Sequence, residues 1–179
     1  MFDLRIFNAI HNLAGVSRFL DLLGIYLSDS FGYLLIVTVV FFLIREKDWQ
    51  IRYKNLFFVI LSLVLSRGII TELIRILYNR PRPFSALNFE PLIMHGPGFA
   101  FPSGHTVFYF TLAFAIWHIN KKWGQWLLAG AFILGLARVF IGVHWPFDIL
   151  GGIAVAWLGV LITKKFLVSR IQSATNETP

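Results

Sequence analysis

Five apolar windows, at 24–44, 55–78, 102–120, 124–143 and 147–168, occupy most of this 179-residue chain. Each approaches the roughly 20 mainly apolar residues that a helix needs to cross a bilayer. With 57% hydrophobic and only 14% charged residues, an ordinary soluble domain is excluded. The pattern predicts an all-α, polytopic membrane helical bundle. Residues 1–23 differ, because Asn8, His11, Asn12, Arg18 and Asp21 interrupt Phe2, Leu4, Ile6, Phe7, Ile10 and Leu13. That spacing suits an N-terminal amphipathic helix lying in the interface; a sixth crossing built from it would give five to six transmembrane helices. Met1-Phe2-Asp3-Leu4-Arg5 interleaves acid and base, unlike the basic start of a cleaved signal peptide. Residues 1–168 read as a single membrane-embedded domain and 169–179 as a disordered cytoplasmic tail.

The charges orient the bundle. There are 16 Lys+Arg against 9 Asp+Glu, a net +7. The basic clusters are the turn from Arg45 to Lys54, the pair Lys121-Lys122, and Lys164-Lys165 with Arg170. Even numbers of crossings separate them, so the positive-inside rule places all three in the cytoplasm. The excess charge is then topological, and nucleic-acid binding is disfavoured. Cysteine is absent, which removes disulfides, thiolate nucleophiles and Cys-ligated metals.

The informative polar residues gather at the opposite, outer ends of the windows, where charge in a membrane helix points to function. Arg75, Arg80 and Arg82 end the second window, Phe101-Pro102-Ser103-Gly104-His105-Thr106 opens the third, Arg138 ends the fourth and His144-Trp145-Pro146-Phe147-Asp148 opens the fifth. With Pro102 as first helical residue, the amides of Ser103, Gly104 and His105 stay unpaired at a positive helix end. That is an anion site: Gly104 has no side chain to hold a phosphate off, and Ser103 adds a hydroxyl. Arg75, Arg82 and Arg138 would supply three guanidinium groups suited to bidentate phosphate contacts. Asp148, four residues after His144, can fix one ring nitrogen as a donor and free the other as nucleophile or base. His105 can then protonate a leaving oxygen and later activate water. A two-metal hydrolase needs several carboxylates around its ions, and of the nine acids only Asp148 falls in the histidine cluster; no metal and no cofactor is implied.

Taken singly, each feature has a plainer account. Pro102–Gly104 is a helix start, Asp148 a first-turn acid favoured by the helix dipole, and Arg80 an outer arginine snorkelling to headgroups. Arg67 pairs with Glu72 or a helix carbonyl, and Glu72 and Arg75 can form a simple intrahelical pair. His95 and His118 are unexceptional, and Trp117, Trp123, Trp126 and Trp145 form an interfacial belt. Their coincidence on one face is what these accounts leave unexplained.

The residues resemble the type 2 phosphatidic acid phosphatases, membrane lipid phosphatases that share a core with vanadium-dependent haloperoxidases. The family's first motif, Lys, six residues, Arg-Pro, is matched by Arg75, six residues, Arg82-Pro83, with Arg for Lys. Its second, Pro-Ser-Gly-His, is Pro102-Ser103-Gly104-His105 unchanged. Its third, Ser-Arg, five residues, His, three residues, Asp, is matched by Arg138, His144 and Asp148, with Ala137 for Ser. The resemblance implies His144 as a nucleophile forming a phosphohistidine, Asp148 orienting it, and His105 as general acid and then base. It also implies phosphate binding by Arg75, Arg82, Ser103, Gly104 and Arg138.

The implied activity is hydrolysis of the terminal phosphate of a lipid (pyro)phosphate at the outer, periplasmic face of a bacterial cytoplasmic membrane. The small bundle is similar to undecaprenyl-diphosphate phosphatases. Phosphatidylglycerophosphate, phosphatidate and lipid A 1-phosphate are rival substrates. A lipid-phosphate transporter would need the arginines but not the histidine pair, and a haloperoxidase would hold vanadate in the same cradle.

Overall fold

The computed structural model describes residues 2–96 and 98–176, with side chains described as far as residue 167. Among the described residues the regular structure is helical: α1 (Phe2–His11), α2 (Arg18–Ser28), α3 (Phe31–Ile44), α4 (Trp49–Leu63), a π-helical segment (Val64–Ile70), α5 (Thr71–Leu77), α6 (Pro83–Leu87), α7 (Gly104–Ile119), α8 (Lys121–Phe140) and α9 (Pro146–Asn176). The tail expected over 169–179 lies outside the residues whose side chains are described.

Among the described residues, four stretches are long and apolar enough to span a membrane: Arg18–Ile44, Trp49–Leu77, Lys121–Phe140 and Pro146–Leu167. The first begins earlier than its apolar window and is broken at Asp29-Ser30, where α2 ends and α3 begins. Ser17 caps α2 through a bond from the Leu20 amide at 3.3 Å, so Arg18 and Asp21 belong to this helix and not to α1. The amphipathic helix is correspondingly short.

The third window, 102–120, forms α7, with 16 residues. At 1.5 Å per residue such a helix is about 24 Å long, less than the roughly 30 Å of a hydrocarbon core. Its far end joins the charged Lys121-Lys122 pair at Asn120, which caps α8 by accepting from the Trp123 amide at 3.2 Å. The Ser103 end is therefore recessed into the bundle.

Helix α7 is also the centre of the packing, touching α8, α9, α4, α3 and the π segment. Ala113, Ala115 and Ile116 are fully buried in one core with Leu127, Ala131, Leu134, Ala156 and Val160. Small residues let the neighbours approach, as membrane interfaces require. A Cβ on Gly152 of α9 would lie 2.8 Å from Thr106 Cβ and 3.2 Å from the Ser103 carbonyl, so α9 meets the start of α7 backbone to backbone. The three basic clusters share one end of the bundle: Lys54, His118 and Lys164 line one cavity there, and Arg45, Lys47 and Asn120 another.

Candidate active site

At the other end, a cavity of about 420 Å³ is lined by Arg67, Arg75, Arg82, His95, Gly104, His105, Arg138 and His144, with Ile36, Phe108 and Tyr109 as its apolar wall. Six of the eight residues singled out in the sequence line it. The other two, Asp148 and Ser103, stand immediately behind.

Each side chain is aimed by a local device. Arg75 lies in the last turn of α5 and Arg82 precedes Pro83, the first residue of α6. His144 sits in the tight passage from α8 to α9, where Gly142 takes a φ of +85° that suits glycine. Asp148 lies in the first turn of α9 and reaches back to accept from the Trp145 amide at 2.8 Å, as the acid of a capping box does. Capping the helix is thus what points the carboxylate at His144. Its Oδ2 lies 3.4 Å from His144 Nδ1, longer than a closed hydrogen bond but within the looseness common before a ligand is bound. A carboxylate at Nδ1 favours the tautomer that leaves Nε2 unprotonated and free to attack.

Burial lowers the pKa of His144 well below the ordinary histidine value, and the charges of Arg138 and Arg82 lower it further. The imidazole is thus neutral at neutral pH, as a nucleophile must be. Burial, followed by Arg138, also lowers His95. Arg138 Nη2 donates to His95 Nε2 at 2.8 Å, leaving Nδ1 to face the Ile93 carbonyl at 3.3 Å. Arg138 is itself only 1% exposed, and its Nη1 approaches the Ser28 carbonyl at 3.5 Å.

Several cationic donors are held for something else. Among the described residues, Arg75 Nε, Arg82 Nε and Nη1, and Arg138 Nε are buried without a hydrogen-bond partner. Buried unpaired donors of this kind are costly, and a polyanion in the cavity would satisfy them.

The start of α7 departs from the expectation in one respect. Pro102 is not the first helical residue: Ser103 is the cap, and the helix begins at Gly104. The reason is that Ser103 is fully buried, its amide donating to the Asp148 carbonyl at 3.1 Å and its hydroxyl facing the Thr106 amide at 3.5 Å. It locks the second motif to the third and does not line the cavity. Gly104 does: a Cβ there would lie 2.9 Å from Arg75 Nη2.

Three residues given plain accounts by the sequence belong to the site. Arg80 is not at the lipid surface: Nη1 donates to Asp148 Oδ1 at 2.9 Å, and Nη2 pairs with Asp3 of α1. Its guanidinium lies 5.2 Å over the ring of Trp145, which is buried, not interfacial, and donates from Nε1 to the Pro81 carbonyl at 3.0 Å. His95 supports Arg138, and Arg67, though paired with Glu72 as expected, also lines the cavity. The doubled Arg-Pro of residues 80–83 was the available signal for Arg80; nothing local marked His95. Among the described residues, no group of three His, Cys, Asp or Glu side chains is placed to hold a metal ion.

Known proteins carry the same arrangement of chain. The PAP2 superfamily model matches residues 55–172. Undecaprenyl-diphosphatase BcrC of Bacillus subtilis is 31% identical over 154 residues, 85% of this chain and 77% of that protein. A lipid A 1-phosphatase of Rhizobium johnstonii is 33% identical over 106 residues, 55% of this chain and 43% of its own length. The crystal structure of Aquifex aeolicus LpxE superposes with a TM-score of 0.74 at 26% identity, covering 92% of this chain and 96% of that one. With the family motifs and the helical bundle both in place, this chain is a member of the PAP2 superfamily of membrane lipid phosphatases.

Proposed function

We propose that this protein hydrolyses the terminal phosphate of a lipid diphosphate, undecaprenyl diphosphate in the first instance, through a phosphohistidine on His144 and without a metal ion. The observation that carries the reading is the juxtaposition of a neutral, buried imidazole with the unsatisfied guanidinium donors of Arg82 and Arg138 in one cavity. Arg75, Arg82, Arg138 and the first amides of α7 would hold the phosphoryl oxygens, stabilising charge as it develops in the transition state. Nε2 of His144 attacks phosphorus, and His105 protonates the departing oxygen. His105 then takes a proton from the water that releases phosphate and restores the imidazole. Four arginines around the cavity repel a divalent cation and favour an anion, which supports a reaction free of metal. The positive-inside rule supports a site facing the periplasm or cell exterior, in a bacterial cytoplasmic membrane.

The substrate rests on relatives whose names include undecaprenyl-diphosphatase and lipid A 1-phosphatase. The test is phosphate release by detergent-solubilised protein in EDTA, offered undecaprenyl diphosphate, phosphatidylglycerophosphate, phosphatidate and lipid A, beside His144→Ala. Release from undecaprenyl diphosphate above the others, with a silent variant, is the expected result. Preference for another lipid reassigns the substrate, dependence on added metal removes the metal-free mechanism, and a fully active His144→Ala removes the nucleophile.

A further inference from the structure

The second membrane span is not one regular helix. Between α4 and α5, residues Val64–Ile70 form a π-helical turn, and the Thr71 hydroxyl donates to the Ser66 carbonyl at 2.7 Å across it. Such turns are frequent at functional sites. The residue carried here is Arg67. Its Nε lies 3.1 Å from where a Cβ on Gly104 would stand, next to Arg75. Glu72 accepts from Nη1 of both, at 2.5 Å from Arg67 and 3.1 Å from Arg75, and holds the two guanidinium groups side by side over the start of α7.

Arg67 is one cation more than the three phosphate-binding arginines of the motifs, and it occupies a different part of the cavity. Its side chain is 37% exposed, at the mouth, whereas Arg138 is buried on the floor. Arg67 stands beside Gly104, the residue that precedes His105, and the three line the same cavity.

We propose that Arg67 binds the second phosphate of a lipid diphosphate, the one that stays on the lipid, and so sets a preference for diphosphates over monophosphates. The inference rests on the phosphatase reading above. In the first step the N–P bond forms from His144 Nε2 to the terminal phosphorus and the P–O bond to the bridging oxygen breaks. That oxygen leaves with the lipid monophosphate and takes its proton from His105. In the second, water adds to phosphorus, the N–P bond breaks and His105 recovers a proton. The leaving phosphate emerges on the His105 side, where Arg67 stands. A lipid monophosphate puts only an alcohol oxygen there and gains nothing from a fourth guanidinium.

The experiment compares wild type, Arg67→Gln and Arg67→Lys on farnesyl diphosphate and farnesyl phosphate, and measures inhibition by inorganic pyrophosphate and by phosphate. In Arg67→Gln the ratio of kcat/KM for diphosphate over monophosphate is expected to fall by about tenfold or more, the worth of a charge-assisted phosphate contact. Pyrophosphate should lose its advantage over phosphate as an inhibitor by a similar factor, and Arg67→Lys should recover part of both ratios. Unchanged ratios in Arg67→Gln, whatever the absolute rates, overturn the inference while leaving the phosphatase reading intact. A wild type that releases phosphate from no lipid overturns both.

Discussion

Arg80 Nη1 donates to Asp148 Oδ1 at 2.9 Å, while the other oxygen of the same carboxylate faces His144. Asp148 is fully buried and Arg80 is one-fifth exposed, so the charge behind His144 is neutralised from outside the cavity. The chain of contacts continues to Asp3, which pairs with Arg80 and accepts from the Phe147 amide at 3.0 Å. His11 Nδ1 lies 2.8 Å from the Phe140 carbonyl, and Phe7 packs on Trp145. Helix α1 is thereby docked directly over the passage that presents His144.

Arg80→Met leaves the Asp148 carboxylate buried without its cation. Breaking a buried pair from one side costs about 3 kcal/mol, so the thermal midpoint in detergent should drop and kcat should fall more than KM rises. Asp3→Asn keeps Arg80 on Asp148 and should cost less on both measures. An Arg80→Met protein as stable and active as wild type would show that Asp148 needs no partner.

Rapid quenching with labelled substrate should trap phosphate on wild-type protein in an acid-labile, base-stable form, as an N–P bond requires, and none on His144→Ala. His105→Ala should accumulate label relative to turnover, because water attack loses its base. Label that survives in His144→Ala would place the bond elsewhere.

Folded His144 and His95 have pKa values lowered by burial and by Arg138, whereas unfolded histidine titrates near 6.5. As pH falls below about 6.5 the unfolded chain takes up protons that the folded one refuses, so stability is lost from there downward. The thermal midpoint should decline between pH 7 and pH 5, and less steeply in His95→Asn. The acid limb of kcat/KM attributable to the nucleophile should fall below pH 6.5, since His144 stays neutral there.

Gly104→Ala puts a methyl 2.9 Å from Arg75 Nη2 and 3.1 Å from Arg67 Nε. Both neighbours are ends of flexible side chains, and alanine favours a helix start's continuation by up to about 1 kcal/mol. The protein should fold as well as before yet lose activity by about tenfold or more, read as phosphate release beside an unchanged thermal midpoint. Gly152→Ala is the contrasting case, because its methyl would press on the Ser103 carbonyl and Thr106 Cβ. Overpacking of this sort costs about 1–3 kcal/mol, so the midpoint itself should fall.

Much of this protein is legible in its sequence, for reasons local to the chain. Lipid demands long apolar windows, so the all-α bundle follows from composition and spacing, and basic clusters at alternate turns report which ends lie together. Family motifs of contiguous residues, such as Ser103-Gly104-His105 and His144 with Asp148, are visible because one turn of chain presents them. The partners of those residues come from far along the chain and leave no local mark. Asp3 meets Phe147, His95 meets Arg138 and Arg80 meets Asp148 only after the bundle has packed. The π turn that brings Arg67 to Gly104 cannot be read from an apolar run, since the same residues would fit a regular helix. Where α7 begins was likewise decided by tertiary contact: the Ser103 amide found its acceptor on α9, and that bond made Ser103 the cap of the helix and left Gly104 and His105 to face the cavity.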